Sequence, residues 1–161
     1  MKRDIVLWNL VKKNRGKKIL VTGSTGLIGS ALVPFLNTAG DHQVTRMVRP
    51  SSIYSNNEQH VVKWDPDKEK IDIDVLVGYD IIINLSGENI FGRWSDSKKR
   101  KLMESRIRTT RLLCDSLVKL KNAPSTLICA SAVGIYGDRG IDVLTEDTEA
   151  GTGFLSSLCQ K

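Results

Sequence analysis

The chain has 161 residues, of which 40% are apolar and 26% charged, and its formal net charge is +6 at pH 7. This length is sufficient for one domain with its own core. No apolar run approaches the roughly 20 residues of a membrane helix, and the first residues lack the apolar core and cleavage site of a secretory signal, so we expect no membrane partner and a cytoplasmic location, with an organellar matrix as the alternative.

The first half of the chain alternates between strand-like and helix-like patterns. Residues 1 to 16 predict an N-terminal appendage, and residues 17 to 161 a single domain. Gly40 is placed to end the first helix, whereas Pro34, inside that helix, removes a hydrogen bond or bends it. The predicted elements are, in order, a strand over residues 17–22, a helix over 27–39, a strand over 43–49, a loop over 50–57 and a strand over 59–64.

The second half continues this alternation. Nearly continuous apolar runs over residues 80–85 and 126–131 predict two strands buried on both faces of a parallel sheet. Between them we predict a long helix that begins near Ser95 or Asp96 as its cap and ends at residues 122–124. Its apolar positions recur every three or four residues and are Met103, Ile107, Thr110, Leu113, Leu117 and Leu120.

Strands that alternate with helices predict right-handed crossovers and a parallel sheet. The expected fold class is therefore α/β, a doubly wound Rossmann sheet. Its five predicted strands are expected in the order 3-2-1-4-5.

The first strand leads into a glycine-rich turn, Thr22-Gly23-Ser24-Thr25-Gly26-Leu27-Ile28-Gly29. Gly23 allows a tight turn, Gly26 lets backbone amides approach an anion, and Gly29 lets the helix pack closely on the strand. The helix N-terminus then offers free N–H donors and a partial positive charge to a phosphate. A P-loop is excluded because no lysine follows the last glycine. We predict that residues 22–29 bind a dinucleotide; the alternative is a purely structural turn.

The end of the second strand bears on the choice of cofactor. An acidic residue there would bind the ribose 2′-hydroxyl of NAD, but the strand ends Thr45-Arg46-Met47-Val48-Arg49. The planar fork of Arg49 can pair with a 2′-phosphate, and Arg46 is a second candidate. These arginines favour NADP(H) as the cofactor; the alternative is that Arg49 is an ordinary surface charge.

Much of the positive charge lies in the predicted long helix. We interpret it as a solvated helix face, the alternatives being a site for a phosphate-bearing ligand or a nucleic acid. No aromatic residues interleave with it, so we expect no nucleic-acid partner. The cluster consists of Lys98, Lys99, Arg100, Lys101, Arg106, Arg108 and Arg111.

The three cysteines, Cys114, Cys129 and Cys159, are far apart and form no C-x-x-C pair. Two of them fall in apolar segments, so we expect buried free thiols in a reducing compartment. Because the chain contains only two histidines, we predict no metal site.

Several motifs in combination resemble one family. The glycine turn resembles the T-G-x-x-G-x-x-G turn of extended short-chain dehydrogenases/reductases. The runs 84–90 (Asn-Leu-Ser-Gly-Glu-Asn-Ile) and 129–138 (Cys-Ala-Ser-Ala-Val-Gly-Ile-Tyr-Gly-Asp), with Gly-Arg-Trp at 92–94 and Ser105-Arg106, are similar to the atypical "epimerase family" branch. The resemblance covers roughly residues 17 to 161.

The resemblance implies further site residues. Asp65, after the third strand, would accept a hydrogen bond from the adenine amino group, and Leu85, Ser86 and Gly87 would lie along the ribose and the nicotinamide. Reductases of this superfamily transfer a proton with a Tyr-x-x-x-Lys pair on the helix after the fifth strand, assisted by a serine at the end of that strand. Ser131 occupies the serine region and is the first catalytic candidate.

Two features depart from the family pattern. The helix predicted over residues 153–161 carries no Tyr-x-x-x-Lys pair, and Tyr136, the other catalytic candidate, belongs to an Ile-Tyr-Gly turn where a structural role is favoured. Family members also continue into a sixth strand and a substrate domain, so we expect this chain to be an N-terminal, cofactor-binding part. The fifth strand is then a bare edge unless another chain covers it, which makes a homodimer one expectation.

Two functions are consistent with these patterns. The first is the NADP(H)-binding part of an oxidoreductase or sugar-nucleotide epimerase-like enzyme, which acts on a small-molecule carbonyl compound or sugar nucleotide. The second is a non-catalytic NADP(H)-binding or sensor module, favoured by the missing dyad. A Rossmann-like domain that binds RNA or phosphate through its basic helix is a third, without a supporting motif.

Overall fold

The computed structural model describes residues 16–54 and 60–161. The predicted appendage, except for Gly16, lies outside the described residues. The strands are β1 (Lys18–Thr22), β2 (Gln43–Val48), β3 (Val61–Lys63), β4 (Ile81–Asn84) and β5 (Thr126–Cys129). The α-helices among the described residues are α1 (Leu27–Ala39), α2 (Asp96–Leu117) and α3 (Phe154–Gln160). No described helix is both long enough and apolar enough to span a bilayer.

All five strands are parallel and lie in the order β3-β2-β1-β4-β5. The predicted Rossmann order is therefore confirmed. In the register of the sheet, Ile19 of β1 lies opposite Val44 of β2 on one side and Ile81 of β4 on the other. The chain passes from β3 at one edge to β4 beyond β1, so a crevice is expected at the carboxyl ends of β1 and β4.

The core consists of one layer on each face of the sheet. Successive side chains of a strand point to opposite faces, so the apolar run of β1 supplies both layers. The layer under α1 contains Ile19, Val21, Val33, Val44 and Ile83. The layer under α2 contains Leu20, Met47, Trp64, Leu76, Ile82 and Leu113. Because β1 lies between β2 and β4 and is covered on both faces, it has no solvent-facing polar side.

The strand β5 differs from its prediction. Thr126, Ile128 and Cys129 are exposed, although the strand was predicted to be buried on both faces. Among the described residues, β5 lies at an edge of the sheet and pairs only with β4, a position that its apolar sequence does not reveal. The prediction of buried thiols is also wrong: Cys129, at the end of β5, is exposed, and Cys114 in α2 and Cys159 in α3 are only half-buried, although all three are free.

The buried face of α2 is only partly the predicted one. Leu113 is in the core as expected, but Met103 and Ile107 are half-buried, and the other fully buried positions are Leu102, Thr109 and Ser116. The two hydroxyls can be buried because each donates to a carbonyl one turn earlier in the helix, at 2.8 and 2.7 Å. An apolar-residue count cannot find such positions. The helix also ends at Leu117, before the predicted stop.

Candidate functional site

A cleft of about 300 Å³ lies at the carboxyl ends of β1, β2 and β4. Its described lining contains backbone from the glycine turn, one arginine and several hydroxyl groups, but no carboxylate. The lining residues are Gly23, Ser24, Thr25, Gly26, Met47, Val48, Arg49, Ser51, Ser52, Trp64, Leu85, Ser86 and Gly87. The cleft is thus in the place where an open α/β sheet binds its ligand.

Gly23 and Gly29 shape the turn that follows β1. Gly23 has a φ of +65°, and a Cβ there would lie 2.5 Å from the carbonyl carbon and oxygen of Leu85. A Cβ at Gly29 would lie 2.4 Å from the oxygen of Gly23. Gly29 therefore brings α1 against the turn itself, not against the strand as predicted. Both glycines are required by the packing of this chain.

Gly26 is the N-cap of α1, which spans the predicted residues. The helix start has no side-chain cap and no acidic residue in its first turn. A Cβ at Gly26 would approach only the Gly23 oxygen, at 3.3 Å. Protein packing thus restricts this position less than its neighbours, and the positive end of the helix faces the cleft without a neutralising side chain.

Ser24 adds a second feature to the turn. Its hydroxyl oxygen is buried and has no hydrogen-bond partner among the described residues, and such a group normally finds one. Because Ser24 lines the cleft, a ligand with acceptor oxygens would satisfy this hydroxyl. The uncapped helix, the space at Gly26 and the unpartnered Ser24 hydroxyl together fit the phosphates of a dinucleotide.

The two candidate arginines have different surroundings. The Nη1 of Arg46 donates to the carbonyl oxygen of Ser24 at 3.0 Å, and its guanidinium lies 5.2 Å from the ring centroid of Tyr54. Arg46 thus holds the glycine turn from behind and does not line the cleft. Arg49 is exposed and does line it. Of the two, Arg49 is the one placed to meet a ligand.

A polar network fixes the end of β4. The Oγ1 of Thr22 donates to the Oδ1 of Asn84 at 2.6 Å, and the Nδ2 of Asn84 donates to the Oγ1 of Thr110 at 3.1 Å. The backbone N–H of Ser86 also donates to Asn84 Oδ1, at 3.3 Å. Sequence reasoning assigned no role to Asn84; the available signal was a lone amide at the end of an apolar strand.

Helix α2 holds the loop that follows β4. The Nζ of Lys98 lies 2.7 Å from a carboxylate oxygen of Glu88, and this hydrogen bond lowers the pKa of Glu88. The N–H of Glu88 donates to Ser105 Oγ at 2.9 Å, and its carbonyl accepts from Arg106 Nη1 at 3.2 Å. The interpretation of the basic cluster as a solvated face is therefore wrong for Lys98 and Arg106.

Several predicted binding residues lie outside the lining of the cleft. Thr22 is fully buried behind it, and Leu27 and Ile28 are exposed on the first turn of α1. The carboxylate of Asp65 accepts from the N–H of Lys68 at 3.3 Å and thereby caps a short 3-10 helix, Pro66–Lys68. It lines a neighbouring hollow that shares Trp64 with the cleft. This capping bond does not point to adenine recognition.

The two catalytic candidates are also outside the lining of the cleft. Ser131 is exposed beyond the end of β5, and Tyr136 ends a 3-10 helix, Val133–Tyr136. Helix α3 packs near the start of α2, where the rings of Phe154 and Trp94 lie 5.8 Å apart. The catalytic assignment of Ser131 and Tyr136 stays a prediction.

Five lining residues were not predicted as binding residues. They are Met47, Val48, Ser51, Ser52 and Trp64. The rule that parallel strands end at one edge of a sheet could have indicated those that follow β2 and β3. Among the residues that the structure describes, no cluster of three or more histidine, cysteine, aspartate or glutamate side chains could hold a metal ion.

The sequence of this chain is similar to those of known proteins. A family model described as the NAD dependent epimerase/dehydratase family matches residues 19–154. An epimerase family protein of Mycobacterium leprae is 39% identical over 152 residues, which are 94% of this chain and 47% of the relative. One of Mycobacterium bovis is 42% identical over 142 residues, 88% of this chain and 45% of the relative. The chain thus spans about half the length of these curated relatives.

Two solved structures are similar in both fold and sequence. A nucleoside-diphosphate sugar epimerase from Corynebacterium glutamicum has a TM-score of 0.73 at 34% identity, covering 92% of this chain and 30% of that one. A human epimerase family protein solved with NADPH has a TM-score of 0.71 at 28% identity, covering 89% of this chain and 46% of that one.

Proposed function

Because the chain belongs to the NAD dependent epimerase/dehydratase family, we propose that its cleft binds NADP(H) and that the chain is the cofactor-binding part of an epimerase family oxidoreductase. One observation carries the proposal: the uncapped start of α1 and the side chain of Arg49 line the same cleft. The first suits a pyrophosphate, and the second suits a 2′-phosphate. The human relative solved with NADPH supports the same choice of cofactor.

The order of the strands suggests how the dinucleotide lies. Arg49 follows β2, the glycine turn follows β1, and Ser86 and Gly87 follow β4, with β1 between the other two. A 2′-phosphate at Arg49 places the adenosine on the β2 side. The pyrophosphate then reaches the amides at Gly26, and the opposite half of the dinucleotide extends toward Ser86 and Gly87.

When bound, the nicotinamide supplies a hydride donor or acceptor. The contribution of this chain is to bind and orient that group, and the resemblance in sequence suggests Ser131 as the side chain that holds a substrate oxygen. The similar Corynebacterium protein is described as a nucleoside-diphosphate sugar epimerase, so a sugar nucleotide or a related carbonyl compound is the substrate class that we propose.

Titration calorimetry with NADPH and NADH tests the binding proposal. We expect Arg49→Ala to lower NADPH affinity by about 10- to 100-fold and NADH affinity little, because it removes a charge-assisted bond to the 2′-phosphate. Arg111→Ala, at an exposed position on α2, is the matched control and is expected to change neither. Absence of binding in the parent chain, or a full NADPH preference in Arg49→Ala, would contradict the proposal.

A binding module without turnover is the second candidate function. Helix α3 presents Phe154, Leu155, Leu158 and Cys159, and neither pair with the required spacing is Tyr and Lys. The full-length protein should be tested for NADPH oxidation over a panel of carbonyl compounds. Turnover that falls in Ser131→Ala would support an enzyme with Ser131 in its site, whereas tight NADPH binding without turnover would support the module.

A further inference from the structure

The loop that leaves β4 forms the wall of the cleft opposite Arg49. Ser86 and Gly87 line the cleft from this side, and the loop has no helix or strand of its own over residues 85–92. Its shape therefore depends on what holds its backbone. Asn84 anchors the start of the loop through the Ser86 amide, and the next anchor is at Glu88.

Both backbone groups of Glu88 are held by α2. Its N–H donates to the Oγ of Ser105 at 2.9 Å, and its carbonyl accepts from the Nη1 of Arg106 at 3.2 Å. The same Arg106 nitrogen donates to the carbonyl of Leu102, also at 3.2 Å. Arg106 therefore ties the loop to the helix backbone, and it does so without lining the cleft.

The guanidinium of Arg106 also covers Gly87. A Cβ at Gly87 would lie 3.0 Å from the Cζ of Arg106 and 3.2 Å from each of its terminal nitrogens. Gly87 is not among the glycines with a positive φ, so its backbone conformation does not demand glycine. A side chain at this position would instead press on the Arg106 guanidinium, which would have to shift by a few tenths of an ångström.

We propose that Arg106 is a positioning residue for the dinucleotide, which sets the Ser86–Gly87 wall for the half of the ligand opposite Arg49. This inference rests on the proposed function. Arg106 acts through the loop and does not touch the ligand. Loss of the Arg106 side chain should therefore lower the affinity for ligands that reach the β4 side of the cleft. The affinity for ligands that occupy only the β2 side should not change.

Two probes distinguish the sides of the cleft in titration calorimetry. NADPH spans both walls, whereas adenosine 2′,5′-bisphosphate carries the 2′-phosphate but lacks the nicotinamide half. We expect Arg106→Gln to lower NADPH affinity by about 10- to 150-fold, the effect of losing a charged hydrogen bond, and to change bisphosphate affinity by less than about twofold. Arg106→Lys should retain part of the NADPH affinity that Arg106→Gln loses, and Arg111→Gln, the exposed control, should bind both probes with unchanged affinity.

Ser105→Ala removes the partner of the Glu88 amide and should give a smaller loss of NADPH affinity with the same selectivity. The thermal unfolding of each variant is measured alongside, as a check that the variant is folded. If Arg106→Gln lowers the affinity for both probes equally, or for neither, the positioning role is overturned while NADP(H) binding stands. If the parent chain binds neither probe, both proposals fail.

A double-mutant cycle tests the contact itself. The methyl of Gly87→Ala would push the Arg106 guanidinium back by a few tenths of an ångström, so this variant should show a smaller loss of NADPH affinity with the same selectivity. Combined with Arg106→Gln it should add less than about twofold, because the contact is already absent. Fully additive losses would mean that the two residues act independently, which would overturn the proposal.

Discussion

Gly23, Gly26 and Gly29 occupy one turn, but each is a glycine for a different reason. Gly23 has a positive φ and lies against the carbonyl of Leu85, and Gly29 lies against the oxygen of Gly23. Gly26 has neither constraint to the same degree, because its nearest approach is 3.3 Å. At the scale of single residues, we therefore expect stability and the proposed ligand binding to be separable within this turn.

Alanine substitutions should separate the two roles. Gly23→Ala should lower the free energy of unfolding by at least about 2 kcal/mol, because it places a Cβ against the backbone of Leu85 and holds an L-residue in the left-handed conformation. Gly26→Ala should lower it by less than about 1 kcal/mol yet abolish NADPH binding, because the methyl fills the space proposed for the phosphate. Urea unfolding and calorimetry measure the two effects. Full NADPH affinity in Gly26→Ala would contradict this assignment.

The ion pair between Glu88 and Lys98 predicts a pH dependence. Its hydrogen bond lowers the pKa of Glu88 below the ordinary value of 4.5. A lowered carboxyl pKa gives stability that is present above the ordinary value and is lost as the pH falls through the folded value. Glu88→Gln should therefore lower the free energy of unfolding by about 0.2–1 kcal/mol at neutral pH, and the difference from the parent should vanish in acid.

Urea unfolding of the parent and of Glu88→Gln across this acidic range measures that difference. Glu104→Gln serves as the control, because Glu104 reaches Arg108 only at 4.0 Å and is more exposed. A difference for Glu88→Gln that grows as the pH falls would show that the ion pair has the opposite linkage.

At the scale of elements, α2 does more than cover the sheet. One side of it supplies apolar side chains to the core, and the adjoining polar positions, Ser105, Arg106 and Thr110, bond the end of β4 and the loop after it. Asn84 joins β1, β4 and α2 in one network. Helix and loop are thus coupled through hydrogen bonds between residues that are far apart in the sequence.

Removal of the Asn84 amide should reveal this coupling. Asn84→Ala leaves the buried hydroxyl of Thr22 without its partner and should lower the free energy of unfolding by about 1–3 kcal/mol. Thr110→Val should cost less, because Thr110 is only half-buried. Asn122→Ala, at an exposed position, is the control. Equal unfolding midpoints in urea for Asn84→Ala and the control would contradict the role of the network.

At the scale of the whole molecule, strands of similar sequence differ in exposure. The central strand β1 is covered on both faces, whereas the edge strand β5 exposes three of its four residues. The two strands have similarly apolar sequences, so composition alone does not distinguish them. Edge position is not sufficient either, since β3 at the opposite edge is half-buried along its length.

Thiol labelling tests this difference in exposure. Cys129 at the end of β5 should react first with a disulfide reagent at neutral pH. Cys114 should react slowly, because burial raises the pKa of its thiol, with smaller contributions from Cys129 and Asp115. Cys129→Ser should remove the fast phase of labelling. A fast phase that persists in Cys129→Ser and disappears in Cys114→Ser would show that exposure has been assigned to the wrong cysteine.

The sequence by itself determined the bounds of α1 and the cap of α2, because these follow from local spacing of apolar residues, glycines and caps. It also determined the order of the sheet through the alternation of strands and helices, and the family through several motifs in combination. Only the tertiary structure decided which arginine meets the cleft, since Arg46 is engaged by Ser24. It also decided that α2 buries Thr109 and Ser116, and that Arg106 holds the β4 loop. Each of these depends on hydrogen bonds or packing between partners that periodicity does not record.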